Sequence, residues 1–494
     1  MDSRPNILFI TADQWRGDCL GFAGHPVVRT PHLDALAADG VACLNHFSAC
    51  APCSPARASL YAGLYQFNHR VVGNGTPLDA RFDNVALAAR RAGYRPTLFG
   101  YTDTALDPRN RPQNDPELRS YEEVLPGFEL GTNLREDDMA WLEWCAEMGI
   151  DVHPENPHAV GSDGHRIATG PTRYKAGETQ TTFLVERFLE WETTQTEPWF
   201  AHLSFLRPHP PFVAPSPYNA MFSPAQVPRS IGDGADAFAS AHPFVQLLRA
   251  HSSLAGLVPS TEGTVADLTE DDFARLRAVY FGMIAEVDAE LGGLFATLKS
   301  RAVWDDTLIV FTSDHGEMMG DHGLMSKGGF YPQSQHIPLI IRDPARKGGL
   351  VTEGFTSSVD VFPTLCARIG VTPGHAVDGQ DLFQGDNIQT RDHALWEYDF
   401  RVDLHKQGLS NLPLRQQDCT LLVRRTAQEQ YVHTAAFEPL LFDLCQDPDC
   451  LTPIDDPLRK GQAAQALLSE RMARNDQTLA TIVLTKNGPL SLLP

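Results

Sequence analysis

The sequence predicts an α/β fold: a large mixed, mostly parallel sheet sandwiched by helices, followed by a smaller α+β domain with an antiparallel sheet. Three observations predict it. Short apolar runs alternate with helix-patterned segments along most of the 494 residues, which is the signature of parallel strands joined by crossover helices. The runs are apolar throughout, as strands buried on both faces must be. Beyond about residue 376 the pattern changes to short strands of antiparallel character.

The first run, PNILFI, is a central strand that ends in Thr11-Ala12-Asp13-Gln14. TPHLDALAADG follows as a short helix, with Thr30 as its cap and Gly40 at its end. CSPARASLYAG reads as a helix with Pro55 in its first turn and Gly63 as its stop. NVALAARRAGYRPTLFGY gives a helix, a Gly93 stop and a strand over 97–101. TTFLVERFLEW is helical and PWFAHLSF is a strand. A long helix runs through LTEDDFARLRAVYFGMIAEVDAELGGLFATL, and TLIVFTSDHGE is a strand that ends in polar residues.

Residues 104–176 and 210–266 are rich in Pro, Gly, His and Asp and weakly periodic, so both are expected to be irregular inserts that serve as lids. Residues 1–375 then form one large domain and 376–494 a smaller one. In the smaller domain TLLVRRTAQEQYVHTAAFEPLLFDL supplies antiparallel strands and 459–474 a helix. The extended tail suits the embrace of a neighbouring subunit.

Composition narrows the partners. The formal net charge of −22 argues against nucleic acid and anionic membranes, so an anionic substrate would need a local positive site. No run of about 18 apolar residues predicts a membrane span, and MDSRPNILFI lacks the features of a secretory leader. Nine scattered cysteines do not resemble a disulfide framework. A cytoplasmic protein with reduced thiols is expected.

Ligands of open α/β sheets collect beyond the carboxyl ends of the strands. Two such ends carry metal-binding residue types: Asp13 and Gln14 after ILFITA, and Asp314 and His315 after LIVFTS. Together they suit one divalent cation; an all-oxygen set favours calcium or magnesium, whereas the imidazole favours manganese. Strand-end aspartates also serve simply as turn caps. The CxxC of Cys50 and Cys53 leaves three readings open: half a zinc or redox site, a buried turn, or a cysteine destined for modification. No second CxxC or CxxH pair stands at finger spacing.

CSPARASLYAG contains Cys-x-Pro-x-Arg and resembles the signature of the sulfatases, of the alkaline phosphatase superfamily. The resemblance spans nearly the whole chain: TADQWRGD, CSPARASLYAGLY, RPHPPF, TSDHGEMMGDHGLMSK, VDGQDLF and LFDLCQDP occur in order. GNGTPLD, GYTDTALDP and the Asp314-His315 pair are similar to the phosphonate monoester hydrolase and arylsulfatase branch. Common sulfatases have Asp-Asn at the latter place and a Gly-Lys-x-His segment that this chain lacks. Asp103 falls where the branch more often has a small polar residue.

The resemblance implies an alkaline-phosphatase-like fold and oxidation of Cys53 to formylglycine by a dedicated maturation enzyme. It also implies one divalent ion, manganese or calcium, held by Asp13, residue 53, Asp314 and His315. A metal lowers the pKa of the hydrated aldehyde, which attacks sulfur or phosphorus in line; the covalent hemiacetal ester then collapses through its remaining hydroxyl. The helix N-terminus beyond Cys53 favours an oxyanion. Arg57, one turn along, is expected to hold an alkoxide or ester oxygen. His209 and Lys327 neutralise the departing oxygen and contact the anion. Gln14, Asn74 and Tyr101 are expected to bind substrate oxygens, and His322 to order its loop. Sulfate monoesters, phosphonate monoesters and phosphodiesters, all monoanions, form the expected substrate class, hydrolysed by a homodimer or homotetramer. Two rivals remain: a two-metal phosphomonoesterase, and a thiol-redox or binding protein on this fold.

Overall fold

The computed structural model describes residues 4–232, 242–402, 414–475, 482–486 and 488–491. The strands in chain order are β1 (Asn6–Ala12), β2 (Val41–Phe47), β3 (Cys50–Ala51), β4 (Thr97–Gly100), β5 (Glu129–Asn133), β6 (Phe200–Phe205), β7 (Thr307–Thr312), β8 (Leu339–Arg342) and β9 (Leu350–Ser357). They continue with β10 (Phe383–Gln384), β11 (Asn387–Ile388), β12 (His393–Asp399), β13 (Thr420–Thr426), β14 (Glu429–Thr434), β15 (Leu440–Asp443), β16 (Ile482–Thr485) and β17 (Gly488–Ser491).

Eight strands form the central sheet in the order β5-β4-β6-β1-β7-β8-β2-β9. Within it β8 runs antiparallel to both of its neighbours and the other pairings are parallel. The apolar runs are apolar because the sheet has two buried faces. Leu8 and Ile10 of β1 point to one core with the helices Gln180–Glu192 and Glu270–Ser300. Ile7 and Phe9 point to the other, with the helices Cys53–Ala62, Val85–Arg91 and Val361–Arg368. Successive side chains of a strand alternate between faces, so a run with no polar face needs a helix layer on each.

Local chemistry sets the helix ends. Thr269 opens the 31-residue helix with a capping box closed by Asp272. Gly63, at φ 67°, closes the helix Cys53–Ala62 and donates its N–H to Ser59 O. Thr30 precedes its helix but does not cap it: the hydroxyl accepts from Gly21 N and donates to Asp34, so it ties down the preceding loop instead.

The second sheet has the order β15-β14-β13-β12-β3. Cys50 and Ala51 pair in parallel with Glu397 and Tyr398, so a segment beside Cys53 completes a sheet otherwise built beyond residue 375. The helix Pro457–Ala473 covers it with Ala463 and Leu467. Two expectations change here. The insert 104–176 is not wholly irregular, since it supplies the edge strand β5 and the helix Met139–Met148; within 210–266 lies the helix Pro243–His251. The tail is not simply extended: β16 and β17 form an antiparallel hairpin that exposes Leu484 and Leu490, while 476–481, 487 and 492–494 lie outside the described residues.

Candidate active site

Four adjacent parallel strands, β4, β6, β1 and β7, end at one level, with Thr11 opposite both Ser204 and Thr312. The residues that follow them converge there: Tyr101 to Asp103, Arg207 to His209, Asp13 and Gln14, and Asp314 and His315. The turn at Gly100 brings the first of these into place. Its φ is 115° and an added Cβ would lie 2.0 Å from Ser204 O, so only glycine fits.

Donor atoms of Asp13, Cys53, Asp314 and His315 lie within 4.8 Å of one another, all four residues buried. His315 donates from Nδ1 to Gly316 O, leaving the Nε2 lone pair facing Cys53 Sγ at 3.3 Å, Asp314 at 3.6 Å and Asp13 at 3.7 Å. Burial, with the charge of Lys327 adding to it, pushes the ring down to about 3, so it stays neutral as a metal ligand must. Asp13 Oδ1 is buried without a hydrogen-bond partner. Burial, reinforced by Asp13, drives Asp314 up to about 7. Two carboxyls that resist joint ionisation, an orphaned oxygen and an imidazole lone pair are the donor set a divalent cation would satisfy. The residues fit the group.

Cys53 is the first residue of its helix and is 1% exposed. Lys327 Nζ lies 3.0 Å from its sulfur and donates to Gln14 Oε1 at 2.8 Å. Burial works against the ammonium, but Cys53, Asp13 and Asp314 hold Lys327 above the ordinary lysine value. Asn74 Oδ1 accepts the N–H of Ser54 at 3.0 Å, fastening the helix start.

Three residues expected to serve the substrate have protein partners of their own. Arg57 is not open to a substrate oxygen: it is 1% exposed and bonds Asp314 at 3.1 Å, Asp13 at 3.0 Å, Ser204 at 3.0 Å, Tyr101 O at 3.2 Å and Tyr61 at 3.3 Å. With its fork filled by protein acceptors, it orients both carboxylates of the candidate ion site. Tyr101 is likewise committed, its hydroxyl to Asp13 Oδ2 and its ring against Arg57 at 4.2 Å. His209, partly exposed, lies within electrostatic reach of Asp13 and Lys327, yet it is a proton acceptor at rest. Nδ1 donates to Pro210 O at 2.8 Å, and burial together with Lys327 pushes the ring down to about 3.

His322 is stacked on Tyr331 at 3.6 Å and donates its backbone N–H to Ile231 O. Asp103 is 2% exposed, has neither carboxyl oxygen hydrogen-bonded and stands 3.9 Å from Arg57. Sequence reasoning missed Glu317, which accepts from Gln14 Nε2 and from the backbone of Met319 and Ser326. It lies in the same TSDHGE segment as the ligands, but only the fold turns it under Gln14.

Carboxylates and an imidazole at strand ends, gathered beside a cysteine at a helix N-terminus, form a candidate metal centre on a sheet covered by helices on both faces. The sulfatase family model matches residues 5–371, and the chain belongs to that family of hydrolases. It is 38% identical to the multifunctional alkaline phosphatase superfamily protein PehA of Trinickia caryophylli, over 97% of each chain. It is 26% identical to an arylsulfatase of Clostridium perfringens, covering 91% of this chain and 90% of that one. The crystal structure of the phosphonate monoester hydrolase of Agrobacterium radiobacter superposes with a TM-score of 0.93 at 48% identity, over 99% of this chain and 100% of that one. The fold is therefore of the sulfatase and alkaline phosphatase type.

Proposed function

We propose that the protein hydrolyses monoanionic esters, namely aryl or alkyl sulfates, phosphonate monoesters and phosphodiesters, at a centre built from formylglycine 53 and one divalent ion. The observation that carries this reading is the convergence of Asp13, Cys53, Asp314 and His315 within 4.8 Å. When present, the oxidised side chain supplies a hydrated aldehyde as nucleophile and the ion, manganese or calcium, acidifies it. Cys53 Sγ marks where that side chain's oxygens would sit.

The chain's own residues supply the rest. Lys327 brings positive charge and N–H donors to the departing oxygen, 3.0 Å from position 53. Neutral His209 takes up a proton at Nε2 as the resting site is restored. Asn74 and the helix N-terminus orient the anion, and Gln14 fixes Lys327. Arg57 is absorbed by carboxylates, which leaves Lys327 to meet the substrate; one lysine and one ion suit a monoanion better than a dianion. Burial holds the Cys53 thiol well above its ordinary range, which counts against a thiol-redox role. Among the described residues one candidate cation group is present, which favours one ion over two.

Two clauses extend the reading to context. Nine unpaired cysteines, eight of them buried, support a cytoplasmic site of action, where a maturation enzyme would meet the chain before it folds. The exposed apolar hairpin supports a homo-oligomer. The test is a peptide mass over residues 50–60 of protein made with a maturation enzyme, alongside hydrolysis of nitrophenyl sulfate and phenylphosphonate esters. The aldehyde mass and loss of all activity in Cys53→Ala are expected. A fully active protein whose Cys53 remains a thiol would overturn the proposal.

A further inference from the structure

The loop that carries His209 is not held by its own prolines alone. Arg207, 5% exposed, donates from Nη1 to His209 O at 3.0 Å and to Pro211 O at 2.9 Å. Its Nη2 lies 3.3 Å from Nδ1 of His158. His158 comes from the first insert and is 7% exposed, with its Nε2 2.7 Å from Asp138 Oδ2. A carboxylate accepts only, so Nε2 carries the ring proton and Nδ1 is an acceptor. That acceptor faces two donors, Arg207 and the hydroxyl of Tyr174 at 3.1 Å. Trp141 stacks flat on the ring at 5.6 Å and 5°, and Gln180 donates to the other oxygen of Asp138. Asp138 itself is held at φ 59° at the start of the helix Met139–Met148.

The senses match along Asp138, His158 and Arg207, with Arg207 and Tyr174 sharing the Nδ1 lone pair, while Gln180 Oε1 is left without a partner. Such a network has one low-energy arrangement. It is also the place where the first insert grips the loop after β6, reinforced by Thr172 N bonding Ala214 O.

We propose that Asp138, His158 and Arg207 are positioning residues for the reaction, acting in series to fix the backbone and ring tautomer of His209. The first insert is thus a buttress for a proton-handling group. This rests on the role given to His209 above. Burial holds His158 below the ordinary histidine value, which keeps the ring neutral, while its hydrogen bonds set the tautomer.

The test uses His158→Leu, which removes acceptor and donor, and His158→Gln, whose amide can donate to Asp138 and accept from Arg207. Histidine-labelled nitrogen spectra of protein with unconverted Cys53 report the His209 tautomer, the signal being assigned by its loss in His209→Gln. We expect the Nδ1–H form in the native protein and in His158→Gln, and a tautomer mixture in His158→Leu. In converted enzyme, kcat of His158→Leu should fall about 10²-fold, the loss typical of a misplaced reacting group, with KM changed less than twofold. Acting through His209, it should add nothing to His209→Ala in the double variant. An unchanged tautomer in His158→Leu, or losses that multiply in the double variant, would overturn the proposal. Full activity in His209→Ala would instead sink the role assigned to His209, leaving the tautomer spectra to decide the positioning claim.

Discussion

Arg57 shows why a residue's type does not settle its task. Its guanidinium could serve a substrate oxygen, yet Nε, Nη1 and Nη2 each reach a protein acceptor, among them Asp13, Asp314, Ser204, Tyr61 and the Tyr101 carbonyl. The carboxylates it steadies can then face a cation. Glu286 tells a different story on the long helix. Burial pushes its carboxyl from 4.5 up to about 7, with Glu290 adding to the rise and the hydroxyls of Thr179 and Thr181 opposing it. Its contribution to stability is therefore complete below pH 4.5 and is lost as pH rises through 7, amounting to roughly 3 kcal/mol at most. Glu286→Gln should flatten that slope: in urea unfolding it should match the parent near pH 4.5 and exceed it near pH 8. Parallel pH profiles for the two proteins would refute this.

At the scale of elements, function depends on where strands stop. β4, β6, β1 and β7 share a register, so the first residues of four loops reach one place. The turn after β4 is the tightest, and Gly100→Ala should cost at least about 2 kcal/mol because a positive φ and a backbone clash coincide. The variant should lower the denaturation midpoint and shift Tyr101 away from Asp13; an unaltered midpoint would show that the turn can relax. β3 is a second such device. Two residues of strand pairing with β12 anchor the turn that leads into Cys53, so the small sheet buttresses the helix N-terminus.

For the whole molecule, the buried group of two carboxyls and an imidazole would hold unspent repulsion without the proposed cation. Binding of a divalent ion should add about 2.7 kcal/mol at a free concentration one hundred times its dissociation constant. Chelation should therefore lower the melting midpoint of the native protein. Asp314→Asn should melt higher than the chelated native protein and respond little to added manganese or calcium. Equal responses in both proteins would place the ion elsewhere. The net charge of −22 bears on the proposed substrate too: an anion would have to reach this site by local attraction to Lys327 and the proposed ion, against the field of the whole surface.

The sequence by itself determined the layered α/β fold, because a strand without a polar face requires two helix layers. It also determined the ends of β1 and β7 and the helix start at Cys53 and Pro55, because these signals are local and lie in continuous segments. Short strands such as β3 and β8 carry too few residues to show a period, and β5 and the Asp138–His158 network hide in a stretch that reads as irregular. Tertiary structure alone decided which groups are already spent: Arg57 and Tyr101 on carboxylates, Gln14 on Lys327, and Glu317 beneath Gln14. Hydrogen-bond capacity is finite, and the partners that consume it here lie up to some three hundred residues away along the chain.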